Sequence, residues 1–575
     1  MKKAKCLFLF LIFSFNSFAC LDSLIKKINS FESSLSIPDL NKKPLQEAYS
    51  FPQITGTSFE RQEEKYRNFL SELESIKDKS LTEGEQIDKQ VLQLKLFDAL
   101  AYYQYQMYRI PFGAEGGFYN NAIYMIQRFE IKTLEDGNRY LNWLKHYCTY
   151  LEDYKEFLKK GMDKKILAPK VIVNNTIFLI GQYCDSDPLK NPFYAPFEGM
   201  SDFLSDKEIK HLSSVSMNLF QETVIPQYRE LKRFMEIDYL PKAYDEPGIF
   251  KVPNGIEYYE NRVKHYTTLP LTANQIHQTG LEEVKRIKAR MIELINSSGY
   301  EGSFEEFIEY LRSHPRFYAR SPQELLHYAA WLSKKAEGEL PKYFNRLPSL
   351  PFTVEEVPAS IAATYTSGRY SHGSWKGKRP GSYLVNTYKL DSRPLYTMPA
   401  LTLHEAVPGH HLQNQLIAES DNVSDLRRNY YISAFGEGWG LYSEFLGEEM
   451  GMYSDEYELF GRLTYEMWRA CRLVVDTGIH LKGWSREKAL EFLKSNTALS
   501  VHEVNTEIDR YIGWPGQALS YKIGEMKIKD LRKKAEMEMG EAFDIREFHF
   551  QILKNGSIPL PILENVIDNY IQENK

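Results

Sequence analysis

Strong charge of either sign, linkers and repeats are what this chain lacks. Its 71 lysines and arginines against 77 aspartates and glutamates leave a formal charge of −6 over 575 residues, so there is no electrostatic footprint for nucleic acid. No long Pro/Gly/Ser-rich linker separates its parts, and no period of solenoid type recurs. One continuous, multi-lobed body is therefore expected rather than a string of domains. Only five cysteines are present. Beyond Cys6 and Cys20, the wide spacing of Cys148, Cys184 and Cys471 gives neither a disulfide framework nor a metal pair, and they read as small buried hydrophobes. After the first twenty residues no apolar run is long enough to span a bilayer. What is present, 43% hydrophobic and 14% aromatic residues, is ordinary globular composition with ample material for a core.

The start of the chain is of another kind. Lysines at 2, 3 and 5, an apolar run from Leu7 to Phe15 and then Ser17-Phe18-Ala19 before Cys20 form the pattern of a secretory signal. Residues 1–19 are expected to be removed and the mature chain exported, to the periplasm or to a membrane surface. Ala19-Cys20 is also a place where a lipoprotein signal is cut, leaving Cys20 lipidated as a membrane anchor. Ser17 stands where a large aliphatic is usual, so both outcomes stay open.

From Leu21 to Asn345 the pattern is mostly helical, with long amphipathic stretches at Glu60–Leu81 and Gly84–Met107. The aromatic run Leu96–Tyr108 reads as a helix packing face. Pro111–Gly117 and the proline-rich Asp185–Gly199 read as loops, and Pro247–Tyr259 as a turn with a short extended piece. Thr272 to Gln275 carries capping chemistry for a helix running to about Ser298. Between Pro348 and Lys389 short β-branched or aromatic runs, Thr353–Val357, Ile361–Thr366 and Ser382–Tyr388, predict a small sheet. An edge strand in the last run, which holds Tyr383 and Asn386, could meet an extended peptide through main-chain hydrogen bonds. The expected division is a helical N-terminal lobe over 20–345 and a second lobe over 346–575 with the sheet and the chemistry.

The chemistry centres on Leu401–Gln413, L-T-L-H-E-A-V-P-G-H-H-L-Q. A helix offers imidazoles to zinc beside a carboxylate base through H-E-x-x-H, but four residues after His404 stands Pro408. Proline clashes with the carbonyl four residues earlier, here that of His404, so Val407–Gly409 is expected to bulge. His410 would then take the place of the second ligand. On an undistorted helix the residue sharing His404's face is His411, two turns away, so His411 stays open as the alternative. Downstream, Y-Y-I-S-A-F-G-E-G-W-G-L-Y-S-E starts a second helix near Tyr430. Three glycines, at 436, 438 and 440, surround Glu437 at a cost of roughly 1 kcal/mol each relative to alanine, so something must come close there, another helix or an ion. Glu444, seven residues on and on the same face, could orient an imidazole.

H-E-A-V-P-G-H-H-L-Q followed by F-G-E-G-W-G-L-Y-S-E resembles the bacterial family catalogued as domain of unknown function 885. R-P-G-S-Y-L-V-N-T, D-T-G-I-H and P-G-Q-A-L-S-Y-K-I-G also look like its blocks, so the likeness covers nearly all of the mature chain. That family in turn resembles the gluzincin metallopeptidases, especially the mostly helical group of angiotensin-converting enzyme and the thermostable carboxypeptidases. The resemblance implies Zn2+ as cofactor, Glu437 as third ligand beside His404 and His410, and Glu405 as general base. It implies a downstream histidine or tyrosine as oxyanion donor, here His480, Tyr511 or Tyr521, and Arg510 as a holder of a peptide carboxylate. The expected fold is mainly α, two lobes around a deep cleft with a small sheet. The expected function is an exported zinc peptidase acting on short peptides, with carboxypeptidase action open. Its rivals are a metal-dependent hydrolase of non-peptide amides and a non-catalytic cell-surface binding lipoprotein.

Overall fold

The computed structural model describes residues 21–41, 49–362 and 365–575; the leader and Cys20 lie outside them. The fold is mainly α with one three-stranded sheet among the described residues. The chain groups into two compact units, one formed by residues up to Ser80 with Leu96–Gly255 and Ile512–Trp514, the other by Leu81–Lys95, Ile256–Tyr511 and Pro515–Lys575. Position 345, the expected lobe boundary, lies inside the second unit.

The first unit is built on aromatic packing. Its longest helix, Leu134–Gly161, opens on a capping box between Thr133 and Asp136, which satisfies orphan amides at both ends of the box. The helix buries Trp143 and Tyr147 with ring centroids 5.0 Å apart. Their polar tips are satisfied by backbone, Trp143 Nε1 donating to Pro38 at 3.0 Å and the Tyr147 hydroxyl to Phe118 at 3.1 Å, as buried aromatic polar groups require. The Asp185–Gly199 loop is a chain of short helical turns, Pro188–Lys190, Pro192–Tyr194 and Ala195–Glu198. The extended piece expected after Pro247 is instead a turn at Ile249–Lys251. Asn254, at φ 56°, then leads into the helix Gly255–Thr267.

In the second unit helix α1 (Ala273–Ser297) carries the capping box expected at its start, Thr272 with Gln275, and buries Ile276, Gly280, Val284, Ile287, Met291 and Ile295, a 3-4 spacing that defines one face. It packs on α6 (Glu456–His480), which is buried on every side from Phe460 to His480. A helix so enclosed must pair its polar groups internally. Arg462, Glu466, Arg469, Arg472, Asp476 and His480 form a stripe along it. They meet respectively Glu448, Lys522, Glu444, Glu507, Tyr259 and the carbonyl of Tyr511. Between α1 and α6 come α2 (Pro322–Tyr343), α3 (Met398–Glu405), α4 (His410–Glu419) and α5 (Ser433–Glu449). After them come α7 (Val501–Gly513) and α8 (Ser520–Met539).

The sheet consists of β1 (Phe352–Glu356), β2 (Gly368–Ser371) and β3 (Gly381–Val385) in the order β1-β3-β2. β1 runs parallel to β3, Phe352 opposite Gly381, and β2 antiparallel, Gly368 opposite Val385. Two expectations are corrected here. The described residues of Ile361–Thr366 lie outside the sheet: Ala359–Ala362 is a helical turn, and the Asn386 amide donates to the carbonyls of Ala362, Tyr365 and Thr366 at 2.9, 3.0 and 3.0 Å. β3 is the central strand rather than an edge, and in the outer strand β2 the Tyr370 amide is taken by Glu405.

Candidate metal centre

Helix α3 ends at Glu405 and α4 begins at His410. The interruption is sharper than a bulge. Pro408 cannot donate to the carbonyl of His404, and the chain folds so tightly that a side chain on Gly409 would collide with the carbonyls of Leu403 and His404. The amide of His411 closes the turn on Ala406 at 3.0 Å, and Trp439 Nε1 of α5 donates to the carbonyl of Pro408 at 2.8 Å. The break therefore brings His410 back over the end of α3. The His404 and His410 ring centroids are 4.8 Å apart and nearly perpendicular, at 86°.

Glu437 of α5 completes the group. Its Oε2 lies 3.3 Å from His404 Nε2 and 3.4 Å from His410 Nε2, and one ligand atom from each of the three residues falls within 4.8 Å of the others. The glycines around Glu437 have distinct purposes. A Cβ on Gly438 would lie 2.6 Å from the backbone of Gly524, where α5 and α8 cross. One on Gly440 would lie 2.7 Å from the His404 ring, and one on Gly436 would strike the ring of Tyr431. Another helix comes close, one of the two alternatives the glycines suggested, and so does an imidazole, which they did not.

The electrostatics tie these groups to one another. Burial would push the His404 imidazole down, but its hydrogen bonds to Glu437 and Glu444 outweigh this and raise it to about 10. Burial likewise opposes ionisation of Glu437, yet the two histidines hold its carboxyl well below the usual range. The Glu444 carboxylate accepts from His404 Nδ1 at 2.8 Å and is itself held by Arg469 at 3.3 Å, so Nε2 faces Glu437. His410 Nδ1 is buried without a hydrogen-bond partner. Glu405, 8% exposed, accepts the Tyr370 amide of β2 at 2.8 Å.

The other residues singled out in the sequence are placed as follows. His411 turns away: its Nδ1 lies 3.2 Å from the Tyr370 hydroxyl, its ring 4.7 Å from that of Phe352, and burial pushes it down to about 4. Tyr521 stands near the site, its ring 6.5 Å from that of His404, with its hydroxyl accepting from Arg510 at 3.2 Å. Arg510 also donates to Gln517 at 2.6 Å. His480 and Tyr511 are not brought to the cluster. The His480 ring donates to the carbonyl of Tyr511 at 2.9 Å, and the Tyr511 hydroxyl accepts from Trp468 and Arg472, each at 2.9 Å. Tyr383 is fully buried, its hydroxyl 3.4 Å from that of Thr402. Asn386 spends its amide on the loop carbonyls and lines a pocket with Ser367 and Arg393.

Two residues that the sequence reading missed border the triad. Tyr431 sets its ring against Gly436, the residue before Glu437. His372 follows β2, and desolvation of its ring, then the nearby His410, push it down. Nothing local in Y-Y-I or S-H-G marks them, because what brings them in is the fold.

Solved structures that match this chain include two that are alike over their full length. A protein from Colwellia psychrerythraea, provisionally described as a lipoprotein, superposes with a TM-score of 0.84 at 27% identity, covering 98% of both chains. One from Shewanella oneidensis, provisionally described as a lipoprotein of unknown function, superposes at 0.74 and 16% identity, covering 97% of this chain and 99% of that one. Comparison with functionally curated proteins gives no match. The family model for bacterial proteins of unknown function DUF885 matches residues 45–567, nearly the whole chain including every residue of the cluster, and the chain belongs to that family.

Proposed function

We propose that this chain is an exported, zinc-dependent hydrolase of short peptides, with His404, His410 and Glu437 as the metal ligands and Glu405 as the general base. The observation that carries the reading is the spacing of the three ligand atoms. Ligands about 2.05 Å from a tetrahedral zinc stand roughly 3.3 Å apart, and the two histidine-to-glutamate separations are 3.3 and 3.4 Å. The donor set, two imidazoles and one carboxylate, leaves a fourth position for water or substrate. The Glu444 carboxylate on His404 Nδ1 is the kind of outer partner that fixes a ligating imidazole.

A bound zinc would supply Lewis acidity at the substrate carbonyl and make a neighbouring water easier to deprotonate. The protein's own groups do the rest. Glu405, next in sequence to a ligand and held by the Tyr370 amide, accepts the proton of the attacking water and hands it to the leaving amine. Tyr431 and His372 flank the triad with groups able to donate to the oxygen on which charge develops. Attachment to a membrane through a lipidated Cys20 is part of the same proposal, supported by the N-terminal pattern and by the descriptions of the two structural relatives.

Replacing Glu405 by glutamine tests the role of the base. The amide keeps the shape but cannot accept the proton, so Glu405→Gln is expected to bind zinc as the wild type does and to lose peptide hydrolysis by about a hundredfold or more. Wild-type turnover by this variant would refute the assignment.

A further inference from the structure

Arg393 differs from four other buried arginines of its unit. Arg427, Arg462, Arg469 and Arg472 hold carboxylates at 2.7, 2.7, 3.3 and 2.8 Å. Arg393 is 4% exposed and has no carboxylate within the 4.0 Å of an ion pair among the described residues. It makes one side-chain hydrogen bond, from Nη1 to the Ser367 hydroxyl at 3.3 Å, and its Nε is buried with no partner. A guanidinium carries five donors in a planar fork. Taken out of water with Nε unpaired, it has only the charge of Glu503, beyond ion-pair distance, to offset its burial.

The guanidinium lines a pocket together with Ser367, Thr397, Leu401, Tyr465 and Glu503. Two of these walls lead to the metal centre. Leu401 lies on α3 four residues before Glu405, about 6 Å along the helix axis and on the same face. Ser367 directly precedes β2, whose Tyr370 amide holds Glu405.

We propose that this pocket is a carboxylate subsite of the metal centre, in which Arg393 receives an anionic group of the substrate while the bond to be cleaved lies over His404, His410 and Glu437. Arg510, the residue expected from the sequence to hold a carboxylate, is engaged with Gln517 and Tyr521. Glu503 faces the same space, its Oε1 accepting from the Ser367 hydroxyl at 3.1 Å. Burial pushes its carboxyl upward, against the pull of Arg393. The bound carboxylate can come from the free C-terminus of a peptide or from an acidic side chain. The inference rests on the hydrolase reading for the bond that is cleaved, whereas binding of the carboxylate is measurable without turnover.

The test is calorimetric binding to the zinc-loaded Glu405→Gln protein of three probes: N-acetyl-alanyl-alanine, its C-terminal amide, and N-acetyl-glutamyl-alanine amide. A free-acid probe favoured about tenfold or more over the plain amide supports a C-terminal carboxylate, and the same gain in the glutamyl amide alone supports an acidic side chain. Added to this background, Arg393→Gln should abolish the preference, while Arg393→Lys should keep part of it. Equal binding of all three probes, no binding of any, or a preference that survives Arg393→Gln would overturn the subsite. Should Arg393→Gln fail to fold, the comparison of acid with amide in the protein that retains Arg393 decides. Failure of the hydrolase reading would show separately, as absent turnover by the wild type.

Discussion

Alanine at Gly440 should remove the metal while sparing the fold. In the interior of α5 the exchange gains helix propensity, about 1 kcal/mol. Its Cβ, however, would stand 2.7 Å from Cε1 and Nε2 of His404, where ordinary contact is about 3.5 Å. The ring must therefore retreat by about 0.8 Å. It cannot do so freely, because Glu444 grips Nδ1 at 2.8 Å and the backbone of His404 is set in the last turn of α3. Metal sites hold their bond lengths to about 0.2 Å, so a displacement several times larger should cost roughly a hundredfold or more in zinc affinity. The assay is competition for zinc against a chromophoric chelator, with thermal unfolding followed by circular dichroism on the same samples. Gly438→Ala is the control of opposite kind. Its Cβ would meet the Gly524 backbone at 2.6 Å, which cannot yield, so the loss should appear in the melting temperature. Wild-type zinc affinity in Gly440→Ala would refute the placing of His404 as a ligand.

Further outcomes follow from the same geometry. His410→Ala should lose most of the zinc and His411→Ala should retain it, read by elemental analysis of the purified variants; the reverse pattern would return the ligand role to His411. Asp476 is buried, accepts the Tyr259 hydroxyl at 2.5 Å and the Gly516 amide at 3.1 Å, and burial raises its carboxyl to about 7. Because the folded state keeps this proton above the unfolded value near 3.9, stability should fall as pH rises from about 4 to 7, by roughly 4 kcal/mol, and level off above. Asp476→Asn should flatten that slope in urea titrations across the range, and an unchanged slope would contradict the assignment.

The helical class, the capping box at Thr272 and the disruption at Pro408 were legible because each depends on residues adjacent in sequence. Proline's missing donor and Gly409's missing side chain favour His410 over His411 without knowledge of anything distant. The glycines around Glu437 announced a close approach, though not that one of them faces an imidazole and another a helix crossing. What escaped was set by contacts far along the chain. β2 is four residues long and begins with glycine and arginine, a weak strand pattern, and it forms because β3 offers it an edge. The β-branched Ile361–Thr366 looked more like a strand, but Asn386 claims its carbonyls. His480 and Tyr511 lie in motifs suggestive of chemistry, yet their polar atoms are absorbed by the interior around α6. Tyr431 near Glu437 and Arg393 near Leu401 could be found only once the helices were packed.

The central claim is that His404, His410 and Glu437 together hold a metal ion. It is tested most directly by the zinc content of the wild-type protein, measured by elemental analysis after desalting away loosely held metal. The account predicts about one zinc per chain. A folded protein that retains none after incubation with zinc would contradict it.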